Sequence, residues 1–273
     1  MRYFIEFAYK GTNYHGWQSQ PNAVTVQETL DKALSVVLNC AIETLGAGRT
    51  DTGVHASQMY AHFDCQQQLE SDTIVYKLNS FLPNDIAVYH IISVNDHAHA
   101  RFDAKKRTYE YHIYSAKNPF TNETSWYHHN ELDVDLMNQA AKMLIGKRDF
   151  QCFSKVNTEV NNFICQIFEA HWHKENDKLI FTISADRFLR NMVRAIVGTL
   201  VNIGLGKSTV AALNTIIESK DRGKAGFSVP AHGLFLTKIE YDYIIPKGES
   251  ANFASRSDNA ENANSSMSEQ EIL

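Results

Sequence analysis

The chain has 273 residues, of which 44% are hydrophobic and 21% charged. That balance excludes a disordered chain, a disulfide-stapled miniprotein and a fibre, and it allows one large domain or two small ones. The formal net charge is −5, and residues 247–273 carry −3 of it, so the near-neutral remainder can still hold a basic cleft.

Elements follow in chain order. Residues 2–8 are a short aromatic-rich apolar run ended by Lys10-Gly11, the pattern of a strand. Residues 11–24 read as loop. Thr25-Val26-Gln27-Glu28 is a capping box, and Val26, Leu30, Ala33, Leu34, Val37 and Leu38 follow at helical spacing, which predicts a helix over 26–38. A polar, glycine-bearing loop spans 46–56, and 59–63 reads as a strand. Asp72 is the expected cap of a helix over 73–81 that Pro83 stops. Residues 86–94 are β-branched and read as a strand. Tyr109, Tyr111 and Ile113 alternate with Glu110 and His112, a half-buried strand.

The rhythm then repeats. Asp133 or Asp135 caps a helix bearing Leu136, Ala140, Met143 and Leu144, with Gly146 at its end. Residues 163–172 and 179–184 read as paired strands. A long helix is expected from Ala185 to Ile203, another from a Ser208 cap to about Ser219, and a last strand over 234–243. The expected class is α+β, in two similar halves with a mostly antiparallel sheet. The expected division is 1–104, 105–247 and an acidic tail, 248–273, whose Ser/Asn/Ala/Glu composition reads as disordered.

Location is bounded too. Cys40, Cys65, Cys152 and Cys165 form no C-x-x-C pair, which fits reduced thiols and a cytoplasmic protein. Residues 1–7 lack the apolar core of a secretion signal. The uncharged run Ala195–Gly206 is 12 residues, short of the ~20 a membrane span needs.

Three motifs mimic familiar chemistry. Asp51-Thr52-Gly53 is the aspartic-protease tripeptide, but that chemistry needs two carboxylates and only one such tripeptide occurs. Gly204-Leu205-Gly206-Lys207-Ser208 lacks the first glycine of a P-loop, since position 201 is Val201, and a helix rather than a strand precedes it. His97/His99 and His171/His173 come without Cys or Glu at ligand spacing, so no metal is expected. Arg187, Arg190 and Arg194 fall three and four residues apart, on one face of the expected long helix. With Arg101, Lys105, Lys106 and Arg107 they suggest a phosphate-binding surface.

The segment Gly48-Arg49-Thr50-Asp51-Thr52-Gly53-Val54-His55-Ala56 resembles the catalytic loop of the tRNA pseudouridine synthase A family. Tyr14 to Gln20, Val26 to Leu30, Leu82 to Ile86, His99 to Phe102, Arg107 to Tyr111, Met192 to Gly198 and Ala231 to Leu234 resemble further family motifs, in family order. One departure is Thr52, where the family usually has alanine. The resemblance implies the pseudouridine synthase fold, two similar α/β-sandwich-like halves sharing the mostly antiparallel central sheet with the catalytic cleft between them, and conversion of uridine to pseudouridine at positions 38, 39 and 40 of the tRNA anticodon stem-loop. It implies Asp51 as nucleophile, Arg194 as its cationic partner, Tyr109 stacking on the target base and helping remove its C5 proton, and Arg49 holding the extruded nucleotide. It further implies a homodimer with no cofactor and no metal. The alternative is a catalytically silent RNA-binding module on the same fold.

Overall fold

The computed structural model describes residues 1–156 and 160–244. The expected disordered tail, 248–273, lies outside the described residues. The first strand, β1 (Arg2–Tyr9), buries Tyr3, Phe4, Ile5, Phe7 and Tyr9; apolar side chains on both its faces mark it as a central strand. Helix α1 (Val26–Leu38) starts where the capping box predicts, with the Glu28 amide donating to Thr25 Oγ1 at 3.3 Å. The box is half made: the Glu28 carboxylate pairs with Lys32 one turn on, at 2.6 Å. Asn39, in the left-handed region at φ 53°, ends the helix.

Strands β2 (Leu45–Gly46) and β3 (His55–Asp64) follow, so the glycine-bearing loop is shorter than expected and its last residues begin a strand. In α2 (Ser71–Phe81) the N-cap is Glu70, and Asp72 stands inside the first turn rather than at the cap. The helix stops before Leu82-Pro83, because a residue preceding proline is pushed out of the helical region. Next come β4 (Ile86–Val94), β5 (Lys106–Tyr114), β6 (Trp126–Tyr127) and α3 (Val134–Lys142). Asp133 is the α3 cap, accepting from the Leu136 amide at 2.9 Å. Gly146 opens β7 (Gly146–Asp149) at φ 115°. Strands β8 (Ile164–Glu175) and β9 (Lys178–Ala185) pair through a two-residue turn at Asn176-Asp177.

The long helix is the main correction. Ala185 is the last residue of β9, and α4 begins only at Met192 and ends at Gly204. The intervening backbone is drawn out of helical geometry. Asp186 Oδ1 accepts from the Gln166 and Arg187 amides at 2.8 and 2.7 Å, and Asn191 sits at φ 65°; short polar side chains compete for backbone groups in this way. Helix α5 (Ala212–Ser219) starts three residues later than expected, with Thr209 rather than Ser208 receiving its first amide. The last strand, β10 (Leu234–Glu240), is three residues shorter than expected.

The strands form one sheet in the order β4-β1-β3-β10-β5-β9-β8-β7, with β2 on β3 and β6 on β5. The pairs β1/β3, β1/β4, β5/β9, β8/β9 and β7/β8 are antiparallel. The last strand joins the two groups: Phe235 and Leu236 of β10 pair in parallel with His55 and Ala56 of β3, and β10 neighbours β5. A mixed α+β fold on a mostly antiparallel sheet is therefore what the chain adopts. Helix α4 packs on α3 over a core that includes Met137, Leu144, Phe150, Phe153, Ile196 and Leu200. Met1–Ile239 pack as one unit; residues 240–244 are the described part of a second, in which the Tyr241 and Tyr243 rings lie 5.8 Å apart. Among the described residues no helix is long and apolar enough to cross a membrane.

One buried histidine sets an expected pH dependence. His62 accepts the Ala100 amide at Nδ1, 3.2 Å, and burial pushes its pKa down to about 4. The unfolded chain, with His near 6.5, binds the proton first as pH falls. This contribution to stability is therefore complete above pH 6.5 and is lost as pH falls toward 4. Asp31, raised to about 6 by burial, works in the opposite sense below pH 6, so the useful comparison is between variants. Urea midpoints at pH 7 and 5 should show wild type losing about 1–2 kcal/mol more than His62→Asn, whose amide oxygen can replace Nδ1 as acceptor. Equal losses would show that His62 does not carry the effect.

Candidate active site

The loop between β2 and β3 lies on the segment after β1, and backbone contacts hold it there. The Trp17 amide donates to Thr50 O at 3.4 Å, and the Gly53 amide donates to Tyr14 O at 3.3 Å. Tyr9 and Thr50 share a hydroxyl hydrogen bond of 2.8 Å. Gly16 sits at φ 86°, and a Cβ there would come within 2.3 Å of Thr50 O. Only glycine provides both the conformation and the clearance. His55, where the loop enters β3, is buried; its Nδ1 accepts the Gly11 amide at 2.9 Å, so Nε2 carries the proton toward His232 O at 3.1 Å. Burial lowers the His55 pKa and keeps this bridge neutral.

Asp51 stands at the crest of that loop with its side chain 28% exposed, within reach of a substrate. Its Oδ2 lies 3.5 Å from Arg194 Nη1, and its Oδ1 lies 3.8 Å from Arg190 Nε. Arg194 is itself fixed, because its Nε donates to Val229 O at 2.7 Å. That carbonyl is near because α4 runs close beside the 226–229 segment: a Cβ at Gly198 would lie 1.9 Å from Phe227 O. These contacts set two cations beside the carboxylate while leaving it short of a tight two-point clamp. Both groups paired with Asp51 are guanidiniums, whereas a protease dyad shares a proton between two carboxylates.

The three arginines do not share a helical face. Arg187 and Arg190 precede α4, and Arg187 turns to Asn162 Oδ1 at 3.4 Å. Arg190, mostly exposed, reaches Asp51 from the loop instead.

Tyr109 projects from β5 opposite Ile183 of β9, its ring 5.1 Å from Phe188 and nearly perpendicular to it. Burial pushes its phenol up to about 12, and the negative charge of Asp51 adds to the rise. Arg49 is exposed on the Asp51 loop. The structure thus brings Asp51, Arg194 and Tyr109 to one place from the β2–β3 loop, α4 and β5, and sets Arg49 on the same loop as Asp51.

Arg107 is a correction. Expected as a phosphate binder, its guanidinium is spent on four carbonyls: Nη1 on Ala104 O and Asp186 O at 3.1 and 2.8 Å, Nη2 on Ala47 O and Arg101 O at 3.0 and 2.7 Å. It braces the Asp51 loop against the segments before β5 and after β9. Its position two residues before Tyr109, on the same strand face, was the available signal. His171 and His173 have ring centroids 5.6 Å apart, but among the described residues no three His, Cys, Asp or Glu side chains gather as a metal site would need.

Comparison with known proteins adds the lineage. A family model described as tRNA pseudouridine synthase matches residues 6–103 and 140–242. The first segment contains Arg49 and Asp51 and the second contains Arg190 and Arg194, whereas Tyr109 falls between them. tRNA pseudouridine synthase A of Bacteroides thetaiotaomicron is 53% identical over 243 residues, covering 88% of this chain and 90% of that protein. The Bacteroides fragilis protein of the same name is 52% identical over 246 residues, 89% of this chain and 98% of its own length. The Bacillus subtilis one is 39% identical over 246 residues, 89% and 100%. The chain belongs to the tRNA pseudouridine synthase family.

Proposed function

We propose that this protein isomerises uridine to pseudouridine at positions 38, 39 and 40 of the tRNA anticodon stem-loop, in the cytoplasm and as a homodimer, with Asp51 as nucleophile. The observation that carries this reading is the reachable carboxylate of Asp51, held on a braced loop and faced by two guanidiniums. The reaction breaks the C1′–N1 bond, turns the base, forms a C1′–C5 bond and releases the C5 proton to water, while a proton returns to N1. It is redox-neutral and moves no group between molecules, so its balance requires no cofactor or metal.

Each residue has a part in this reading. Asp51 adds to either C6 of uracil or C1′ of the ribose and leaves again, splitting one hard step into two. Arg194 is its cationic partner. Arg49 helps hold the extruded nucleotide out of the helix, and phosphate contacts offset the few kcal/mol that extrusion costs. Tyr109 stacks on the uracil. Its phenol is protonated at neutral pH, so it acts on the C5 proton as a relay, its oxygen accepting that proton while its own O–H proton passes to water.

The test is tRNA carrying tritium at uracil C5 of the anticodon stem-loop, incubated with protein alone; tritium should appear in water. Tyr109→Phe separates the two parts given to that residue. The ring remains, so tRNA affinity should stay within about threefold, while tritium release falls by about 100-fold or more. Unchanged release would leave Tyr109 as a stacking residue only.

A further inference from the structure

The turn between β4 and β5 is tied down almost atom by atom. His99 Nδ1 accepts the Arg101 and Phe102 amides at 3.1 and 3.4 Å, and the His99 amide donates to Asp103 Oδ2 at 2.7 Å. The Ala100 amide donates to His62 Nδ1 at 3.2 Å, Arg2 Nη1 holds Ala98 O at 3.0 Å, and Arg107 Nη2 holds Arg101 O at 2.7 Å. What this rigid turn presents is a phenyl ring and a guanidinium. Phe102 is 74% exposed, its ring packed against His99 at 4.3 Å, and the Arg101 guanidinium carbon lies over the ring, 5.7 Å from its centroid.

A large apolar ring held mostly in water by so fixed a backbone gains little from the fold itself, but its ordering cost on binding is already largely met. Its location is equally specific. The guanidinium of Arg107 that holds Arg101 O also holds Ala47 O, at the root of the loop carrying Arg49 and Asp51. An exposed aromatic ring with a guanidinium beside it is the pairing that takes a nucleobase and its phosphate. We propose that Phe102 is a stacking platform for an unpaired tRNA base flanking the target uridine, with Arg101 on the adjoining phosphate. This rests on the function proposed above.

The experiment measures tRNA Kd, KM and kcat for wild type, Phe102→Ala, Phe102→Trp and Arg101→Met. Loss of one base stack should raise Kd and KM of Phe102→Ala about 5–150-fold with little change in kcat. Its melting temperature should not move, because the ring is mostly exposed. Phe102→Trp should stay within about threefold of wild type, and its added tryptophan emission should be quenched when tRNA binds. Arg101→Met should flatten the slope of log Kd against log salt by about 0.7–0.9, which Phe102→Ala should leave unchanged.

The proposal is overturned if Phe102→Ala binds tRNA like wild type, or if Phe102→Trp is as weak as Phe102→Ala. It is also overturned if light scattering shows Phe102→Ala falling to a smaller species, since the ring then belongs to a contact between copies of this chain. Tritium release by wild type with no effect of Phe102→Ala defeats the platform alone. Weakened tRNA binding by Phe102→Ala, with no release by wild type, defeats the proposed turnover and leaves the platform standing.

Discussion

Asp51→Asn should lower tritium release from C5-labelled tRNA by at least about 10⁴-fold, the scale seen when a covalent nucleophile is removed. The protein should fold unchanged, because the contacts that brace the loop run through Thr50, Gly53, Trp17, Tyr14 and Tyr9 and none uses the Asp51 carboxylate. Binding of tRNA should hold or tighten, most visibly at low salt. Removing the negative charge leaves Arg190 and Arg194 to face phosphate alone. Turnover retained by the asparagine variant would remove Asp51 from the nucleophile's role. A wild type that binds tRNA and releases no tritium would favour the silent RNA-binding module.

Arg107→Met should destabilise the protein by about 3–5 kcal/mol, a cost typical of stranding the partners of a part-buried charged group. Methionine fills much of the stem's volume but leaves four carbonyls, those of Ala47, Arg101, Ala104 and Asp186, without their donor. Arg107→Lys should recover little, since a single ammonium cannot reproduce a planar fork reaching four acceptors. Urea unfolding would measure both. A methionine variant within 1 kcal/mol of wild type would show that water can take the place of this guanidinium. In a variant that still folds, the Asp51 loop loses one of its anchors, and kcat should fall as well.

Features set by near neighbours could be read from the chain. Thr25 and Asp133 cap the helices assigned to them, and Ile86–Val94 is the strand its β-branched residues indicate. The start of α4 was not legible, because Phe188 and Met192 keep helical spacing while Asp186 and Asn191 hold the backbone elsewhere. Nor was the insertion of β10 between β3 and β5, since its partners are fixed by pairing across the whole chain. At the site, local chemistry marked Arg49 and Asp51 as a dense polar loop, but their grouping with Tyr109 and Arg194 rested on family resemblance. Charge alone could not distinguish an arginine that faces Asp51, as Arg190 does, from one consumed by carbonyls, as Arg107 is.

The placement of β10 also orders events in time. Phe235 meets His55 across about 180 residues of sequence, and pairings that distant close late and slowly. On a ribosome, β1, β3 and β4 can assemble while the remainder is still being made. The strand that lies between β3 and β5 emerges almost last. The nascent chain therefore holds Asp51, Tyr109 and Arg194 well before it holds the strand that knits their supports together. Premature termination ahead of Leu234 would yield a product with Asp51, Tyr109 and Arg194 and an unjoined sheet, a poor enzyme and a ready substrate for proteolysis.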